Sequence, residues 1–362
     1  MADRRDRQTG AAIRGKKREC RVPVVTLSAG MKVTSRPAAS AGRFAVCILC
    51  FFGLLTAAPV TGEVPDPGES GQFVPSGPET YLLLVGKPKV ADPPAQQARA
   101  EAAVRRIAAS IGVSRPDVVM DILVEGVVTK RAYRRDGMAE AVTGAVFTER
   151  LRRLAEGAGS EDTVIVYTHS HGRKNGFEAS QPLGGVVLDL PVRRPPHRGT
   201  LLWDDYADLL LRIPAKTVVV LTMACFSGGL AAYLESAPVR PRWQDRQRRE
   251  GRSFVVLTSQ NQERISPPIV KDGEVINPFT YAVATAFAGE ADGFSLRVGR
   301  PADAQEKDGR LTLGELVDFV LYTTENTVSE SRSRRPLRRN IAQPQVTGVF
   351  DRDVVLLSVG DG

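Results

Sequence analysis

The chain has 362 residues, 42% of them hydrophobic, 25% charged and 6% aromatic, enough apolar material for a sizeable core. This composition excludes a collagen, a wholly disordered chain and a multi-span membrane protein. The formal charge of +8 does not mark a nucleic-acid-binding domain: residues 1–62 hold eleven Lys/Arg against three Asp/Glu, and the remaining 38 basic residues are balanced by 38 acidic ones.

The basic leader reads as a targeting segment. Arg36 and Arg43 precede the apolar run Phe44–Ala57 (FAVCILCFFGLLTA). That run suits a signal-peptide core and is shorter than the ~20 residues that span a bilayer. Counted from Met1 the preceding basic region is too long; initiation at Met31 gives a normal one. Cleavage after Ala58 or Gly62 predicts an exported protein, periplasmic or secreted. An uncleaved signal anchor is the alternative, and only then is a membrane a partner. Residues 63–79 (EVPDPGESGQFVPSGPE) are rich in Pro, Gly and acid and read as a flexible linker.

From residue 80 to 360 the pattern is that of one domain. Strands are predicted at Tyr81–Val85, Val118–Leu123, Thr163–Thr168, Thr217–Thr222, Phe254–Ser259 and Val354–Ser358. Several are continuous apolar runs, as in strands covered on both faces. Between them, Val104, Ile107 and Ile111 mark an amphipathic helix, as do Phe147, Leu151 and Leu154. Phe279, Val283 and Phe287 mark a third, and Leu316, Phe319 and Val320 a fourth, which Thr312 and Glu315 open as a capping box. Alternating β and α elements predict a three-layer α/β/α sandwich around a mostly parallel, roughly six-stranded sheet. Pro191–Thr200, the Arg-rich insertion 236–252 and the Arg-rich stretch Ser331–Asn340 read as loops.

Three of the four cysteines, Cys20, Cys47 and Cys50, lie in the leader, so a processed chain keeps only Cys225. A lone thiol in an exported protein is a buried small hydrophobe or a working nucleophile. In an open parallel sheet, functional groups collect beyond the carboxyl ends of the strands. Two such ends stand out: Thr163–Thr168 runs into His169-Ser170-His171-Gly172, and Thr217–Thr222 runs into Met223-Ala224-Cys225-Phe226-Ser227-Gly228-Gly229. A cysteine where strand hands over to helix favours thiolate, and an imidazole at the neighbouring strand end can take its proton.

The segments VIVYTHSHG and VVVLTMACFSGG, in this order and with His171 and Cys225 54 positions apart, resemble the caspase-fold cysteine peptidases: caspases, metacaspases, legumain-like enzymes and bacterial relatives. ETYLLLVG, FVVLTSQNQE, DGRLTLGELVDFV and QPQVTG extend the resemblance across most of the body. The resemblance implies Cys225 as nucleophile, His171 as general acid/base, and the N–H groups of Gly172 and Cys225 as oxyanion donors. It places Met223, Ser259 and Gln260 in substrate binding, and it implies a protein or peptide substrate and no cofactor. Met223 departs from the metacaspase-like and legumain-like members that carry an acid there, so a preference for Arg or Lys before the scissile bond loses its usual support.

Rival readings of the same residues are weaker. His169 and His171 lack the further ligands a zinc site needs, because Arg173 and Lys174 follow and only His197 remains. EKDGRLTLGE resembles an EF-hand loop but puts Ala304 at the first ligand position. Ser227 lacks the GxSxG elbow of a serine hydrolase. The expected activity is therefore a cysteine endopeptidase, against an inactive caspase-like binding module or a peptide ligase using the same dyad.

Overall fold

The structure is a computed structural model that describes residues 78–87, 94–112, 118–125, 132–133, 139–140, 142–174, 184–187, 200–266, 268–271, 273–297, 300–301, 306–331 and 342–359. The leader, the linker up to residue 77, the proline-rich 191–199 and the Arg-rich 332–340 fall outside the described residues. In chain order come β1 (Thr80–Lys87), α1 (Pro94–Ile111), β2 (Val118–Glu125), α2 (Gly144–Gly157), β3 (Thr163–Arg173), β4 (Gly185–Val187), β5 (Thr200–Leu202) and α3 (Trp203–Leu210). There follow β6 (Thr217–Met223), α4 (Gly228–Leu234), α5 (Arg240–Glu250), β7 (Ser253–Thr258), the hairpin of β8 (Ile269–Lys271) and β9 (Glu274–Ile276), and α6 (Pro278–Thr285). After these come β10 (Arg310–Thr312), α7 (Leu313–Ser331), β11 (Gln345–Val349) and β12 (Val355–Ser358).

The central sheet has the order β11-β7-β6-β3-β1-β2. The five strands from β7 to β2 are parallel, and β11 closes one side antiparallel to β7. Two-residue strands, Ala132–Tyr133 and Ala139–Glu140, extend the sheet beyond β2. Side chains alternate between two separate cores. Leu82, Leu84, Ile165, Tyr167, Val219 and Leu221 face α1, α6 and α7. Leu83, Val85, Val164, Val166, Val218 and Val220 face α2, α3, α4 and α5. This is why the strands read as unbroken apolar runs: both faces are covered. The α/β/α sandwich is as expected, and each fully buried aliphatic side chain stabilises it by about 1.5–3 kcal/mol. The capping box also forms: Thr312 N–H donates to Glu315 Oε2 at 2.8 Å, and Glu315 N–H donates to Thr312 Oγ1 at 3.3 Å.

Two expectations are corrected. The strand at Val355–Ser358 is not part of the central sheet, but pairs antiparallel with β10. The sixth central strand is Gln345–Val349, an edge strand whose Val346 and Val349 are exposed, so its apolar signal is weak. The Arg-rich insertion is not a loop. It is organised by α5, which buries Trp243 and Gln247, with the capping Val239 just before them, and turns Arg240, Arg242, Arg248 and Arg249 outward. Trp243 Nε1 donates to the Leu234 carbonyl at 2.9 Å. Gly251, at φ 61°, ends the helix in the left-handed region where glycine carries no penalty. One large aromatic anchors a helix whose composition otherwise looks wholly solvated.

Candidate active site

Strand β3 does not stop at Thr168 but continues to Arg173. Alternation therefore puts His169 and His171 on the same face as Ile165 and Tyr167. Beside it, β6 ends at Met223, which pairs in register with His169. The chain then turns through Ala224, Cys225, Phe226 and Ser227 into α4. His169, His171, Met223 and Cys225 lie together in a cleft of about 210 Å³, with walls from α1 and from the β8–β9 hairpin.

The two motifs touch through backbone. A Cβ at position 172 would overlap the carbonyl oxygen of Cys225 and lie 3.0 Å from its nitrogen. Only glycine allows β3 to come this close to the cysteine turn. The two expected oxyanion donors, the N–H groups of Gly172 and Cys225, thus belong to one patch of backbone. His171 is held beside it by the ladder between β3 and β4, where it pairs with Val187.

The turn itself is strained and braced. Phe226, next to the thiol, has φ 59°, the only positive φ of a non-glycine among the described residues, and such strain persists only where surroundings over-determine it. Its N–H donates to the Arg264 carbonyl at 2.7 Å. Ser259 Oγ accepts from Ala224 N–H at 3.2 Å and donates to Ala224 O at 3.1 Å. Gln260 N–H donates to Ser227 Oγ at 3.2 Å. Ser259 and Gln260, expected in substrate binding, are buried beneath the turn. The structure gives them bracing hydrogen bonds and no place on the cleft lining. Gly228 lets the start of α4 press on the next loop, since a Cβ there would sit 2.6 Å from Asn261 Cα.

Helix α4 begins three residues beyond Cys225. The backbone N–H of Ser266 donates to Sγ at 3.4 Å. Ser266 is fixed in turn by Asn277, whose Nδ2 donates to Ser266 Oγ at 2.9 Å. Asn277 also caps α6, its Oδ1 accepting from Phe279 N–H at 2.9 Å. An N–H aimed at sulfur favours the thiolate over the thiol. Sequence reasoning missed both residues. Asn277-Pro278 was readable as a helix start, but nothing local tied it to Cys225, 52 positions earlier.

The two imidazoles are not equivalent. His169 Nδ1 lies 3.3 Å from both Tyr167 Oη and Thr280 Oγ1, which are 2.7 Å from each other. Burial, reinforced by the nearby charges of His171 and Arg99, pushes its pKa down to about 3. His169 is therefore a neutral imidazole at any physiological pH. Among the described residues no three His, Cys, Asp or Glu side chains cluster in a way that could hold a metal ion.

No family model matches the chain, and no curated protein matches it. Among solved structures, the protein GSU0716 from Geobacter sulfurreducens is similar to 78% of this chain over 97% of its own, with a TM-score of 0.43 and 14% identity. A likeness at that level assigns no chemistry.

Proposed function

We propose that the chain is an exported cysteine peptidase of the caspase-fold type. The observation that carries this reading is the backbone contact between Gly172 and Cys225. It sets the residue after one strand-end imidazole against the residue bearing the lone thiol of the body, in one cleft. Cys225 Sγ–H gives its proton to His171, and the sulfur attacks the carbonyl carbon of the scissile bond. The oxyanion lies toward the N–H groups of Gly172 and Cys225, where preorganised donors lower the barrier. As the intermediate collapses the C–N bond breaks, and His171 protonates the departing amine. A water that gives its proton to His171 then attacks the thioester carbonyl, releasing the acid and restoring the thiol.

The test is covalent capture with a panel of acyloxymethyl-ketone peptides. Labelling at Cys225, lost on adding excess unlabelled peptide, is the expected result. His171→Ala should abolish turnover while leaving the thermal melt intact. A protein that binds peptides but cleaves none, and that is captured by no member of the panel, is a binding module instead.

A further inference from the structure

Helix α5 takes no part in the cleft. Its eleven residues hold five arginines and no lysine, against Asp245 and Glu250, whereas the chain beyond residue 62 balances 38 basic with 38 acidic residues. Trp243 and Gln247 fix its inner side, and Arg240, Arg242, Arg248 and Arg249 stand exposed on the outer one. Arg240 and Arg242 lean on Glu235 and Asp208 in exposed ion pairs of 3.5 and 3.3 Å, contacts that water and salt readily loosen. Arg248 and Arg249, in the last turn, pair with no carboxylate among the described residues. They reach only Gln244 Oε1 and the Asp245 carbonyl, and the neighbouring Glu250 is taken by Arg252.

The place of this face in the fold points to its partner. Thr80, Thr163, Thr217 and Ser253 lie on one register line across β1, β3, β6 and β7, at the start of each strand. Only Gly251 and Arg252 separate Ser253 from the last turn of α5. Thr80 follows the linker 63–79, whose last residue, Glu79, accepts from Thr163 N–H at 2.9 Å. The linker therefore enters at the end of the sheet where α5 finishes, three strand spacings or about 15 Å along the line. The cleft lies at the opposite ends of the strands. We propose that, with the apolar run Phe44–Ala57 kept in the bilayer as an anchor, α5 docks on an anionic phospholipid surface through Arg248 and Arg249. A guanidinium meets a headgroup phosphate through two parallel N–H···O bonds, which a lysine does not offer. A flexible linker of this length spans about 23 Å root-mean-square, so the anchored body meets the surface at roughly millimolar effective concentration. Each arginine brought to an anionic surface strengthens binding about five-fold, and two supply about 25-fold. Docking at this end leaves the cleft facing away from the bilayer. This inference takes only the uncleaved leader from the sequence and does not depend on the chemistry of Cys225.

The experiment places the full chain in vesicles of pure phosphatidylcholine or of an equal mixture with phosphatidylglycerol. Hydrogen exchange is followed by mass spectrometry on peptides covering residues 240–252 and, as a control, on the β8–β9 hairpin beside the cleft. The readout is local to the helix, so insertion of the leader does not mask it. Backbone exchange in 240–252 should be several-fold slower on the mixed vesicles than on phosphatidylcholine, with the hairpin unchanged, and high salt should abolish the difference. The double reversal Arg248→Glu, Arg249→Glu should lose the protection at an unaltered melting temperature. If the reversal lowers the melt, the neutral pair Arg248→Gln, Arg249→Gln tests the same charges. Arg248→Lys with Arg249→Lys should keep part of the protection. Equal exchange on both vesicles, or protection that survives loss of the two charges, overturns the proposal. Protection of the hairpin in place of the helix overturns it too, because the cleft would then face the bilayer. Protection of 240–252 by soluble polyglutamate, with none on the mixed vesicles, overturns it in favour of an acidic protein partner.

Discussion

Gly172 and Cys225 share a space in which no side-chain atom fits: a Cβ at 172 would overlap the Cys225 carbonyl oxygen. The contact joins the ends of two adjacent parallel strands, and it converts a glycine that could be taken for turn chemistry into a steric requirement. Gly172→Ala must push either β3 or the cysteine turn aside, a kind of overpacking that costs about 1–3 kcal/mol or more. The melting temperature should fall by several degrees, and iodoacetamide labelling of Cys225 should slow markedly. An unchanged melt with unchanged labelling would show that the two backbones are further apart.

The depressed pKa of His169, about 3, makes stability depend on pH. The unfolded chain binds a proton near pH 6.5 that the folded chain refuses, so stability is complete above that value and declines as pH falls toward 3. Between pH 7 and pH 5 the loss attributable to this group is about 2 kcal/mol. Urea unfolding at the two pH values should show this difference in the wild type and lack it in His169→Gln. An identical pH dependence in both proteins would mean that the imidazole titrates freely.

The brace under the cysteine turn predicts a stability effect for Ser259, a residue that the family resemblance put in substrate contact. Ser259→Ala leaves the buried Ala224 N–H without its acceptor, which costs about 1–3 kcal/mol. Denaturant midpoints should drop accordingly, and Cys225 should label more slowly as the turn relaxes. A variant of full stability with only a raised KM would return Ser259 to the substrate.

Ser266 supplies the N–H on the sulfur. In the wild type, iodoacetamide should react with Cys225 well below the pH at which a free thiol reacts. Asn277→Ala removes the side chain that fixes Ser266, and the labelling profile should move to higher pH. A profile that stays in place while the melting temperature falls would confine Asn277 to capping α6.

Helix α5 carries arginines that invite trypsin, but Trp243 is 2% exposed and pins the helix to the body. Limited trypsinolysis should therefore spare residues 240–250 in the native protein. Trp243→Ala, at a cost of about 3–5 kcal/mol, should make this segment the first to be cut. Early cleavage there in the wild type would show a helix that opens on its own.

The architecture was legible where burial is two-sided. Runs such as Thr217–Met223, buried at every position, can be little but central strands. The same logic failed for Gln345–Val349, because an edge strand with exposed valines has no such run. It failed for α5 because one tryptophan stripe is outvoted by arginines in any composition window. At the site, Cys225, His171 and Gly172 were legible because strand ends locate them, and they lie together as the motif order required. Ser266, Asn277 and Arg99 were not. Their positions at the cleft depend on how α1, the hairpin and α6 pack across the sheet, which is information held by tertiary contacts rather than by any local pattern.

The last strand of the central sheet to be made also finishes the cysteine turn. Gln343 N–H donates to Gln260 Oε1 at 3.1 Å, and the side chain of Gln345 lies against Gly228 at the start of α4. Both contacts arrive with β11, more than a hundred residues after Cys225 has left the ribosome. A nascent chain that has extruded its thiol and its histidines still lacks the wedge behind Gln260 and Gly228. The cysteine turn thereby gains these two contacts only on a chain long enough to have paired its antiparallel edge.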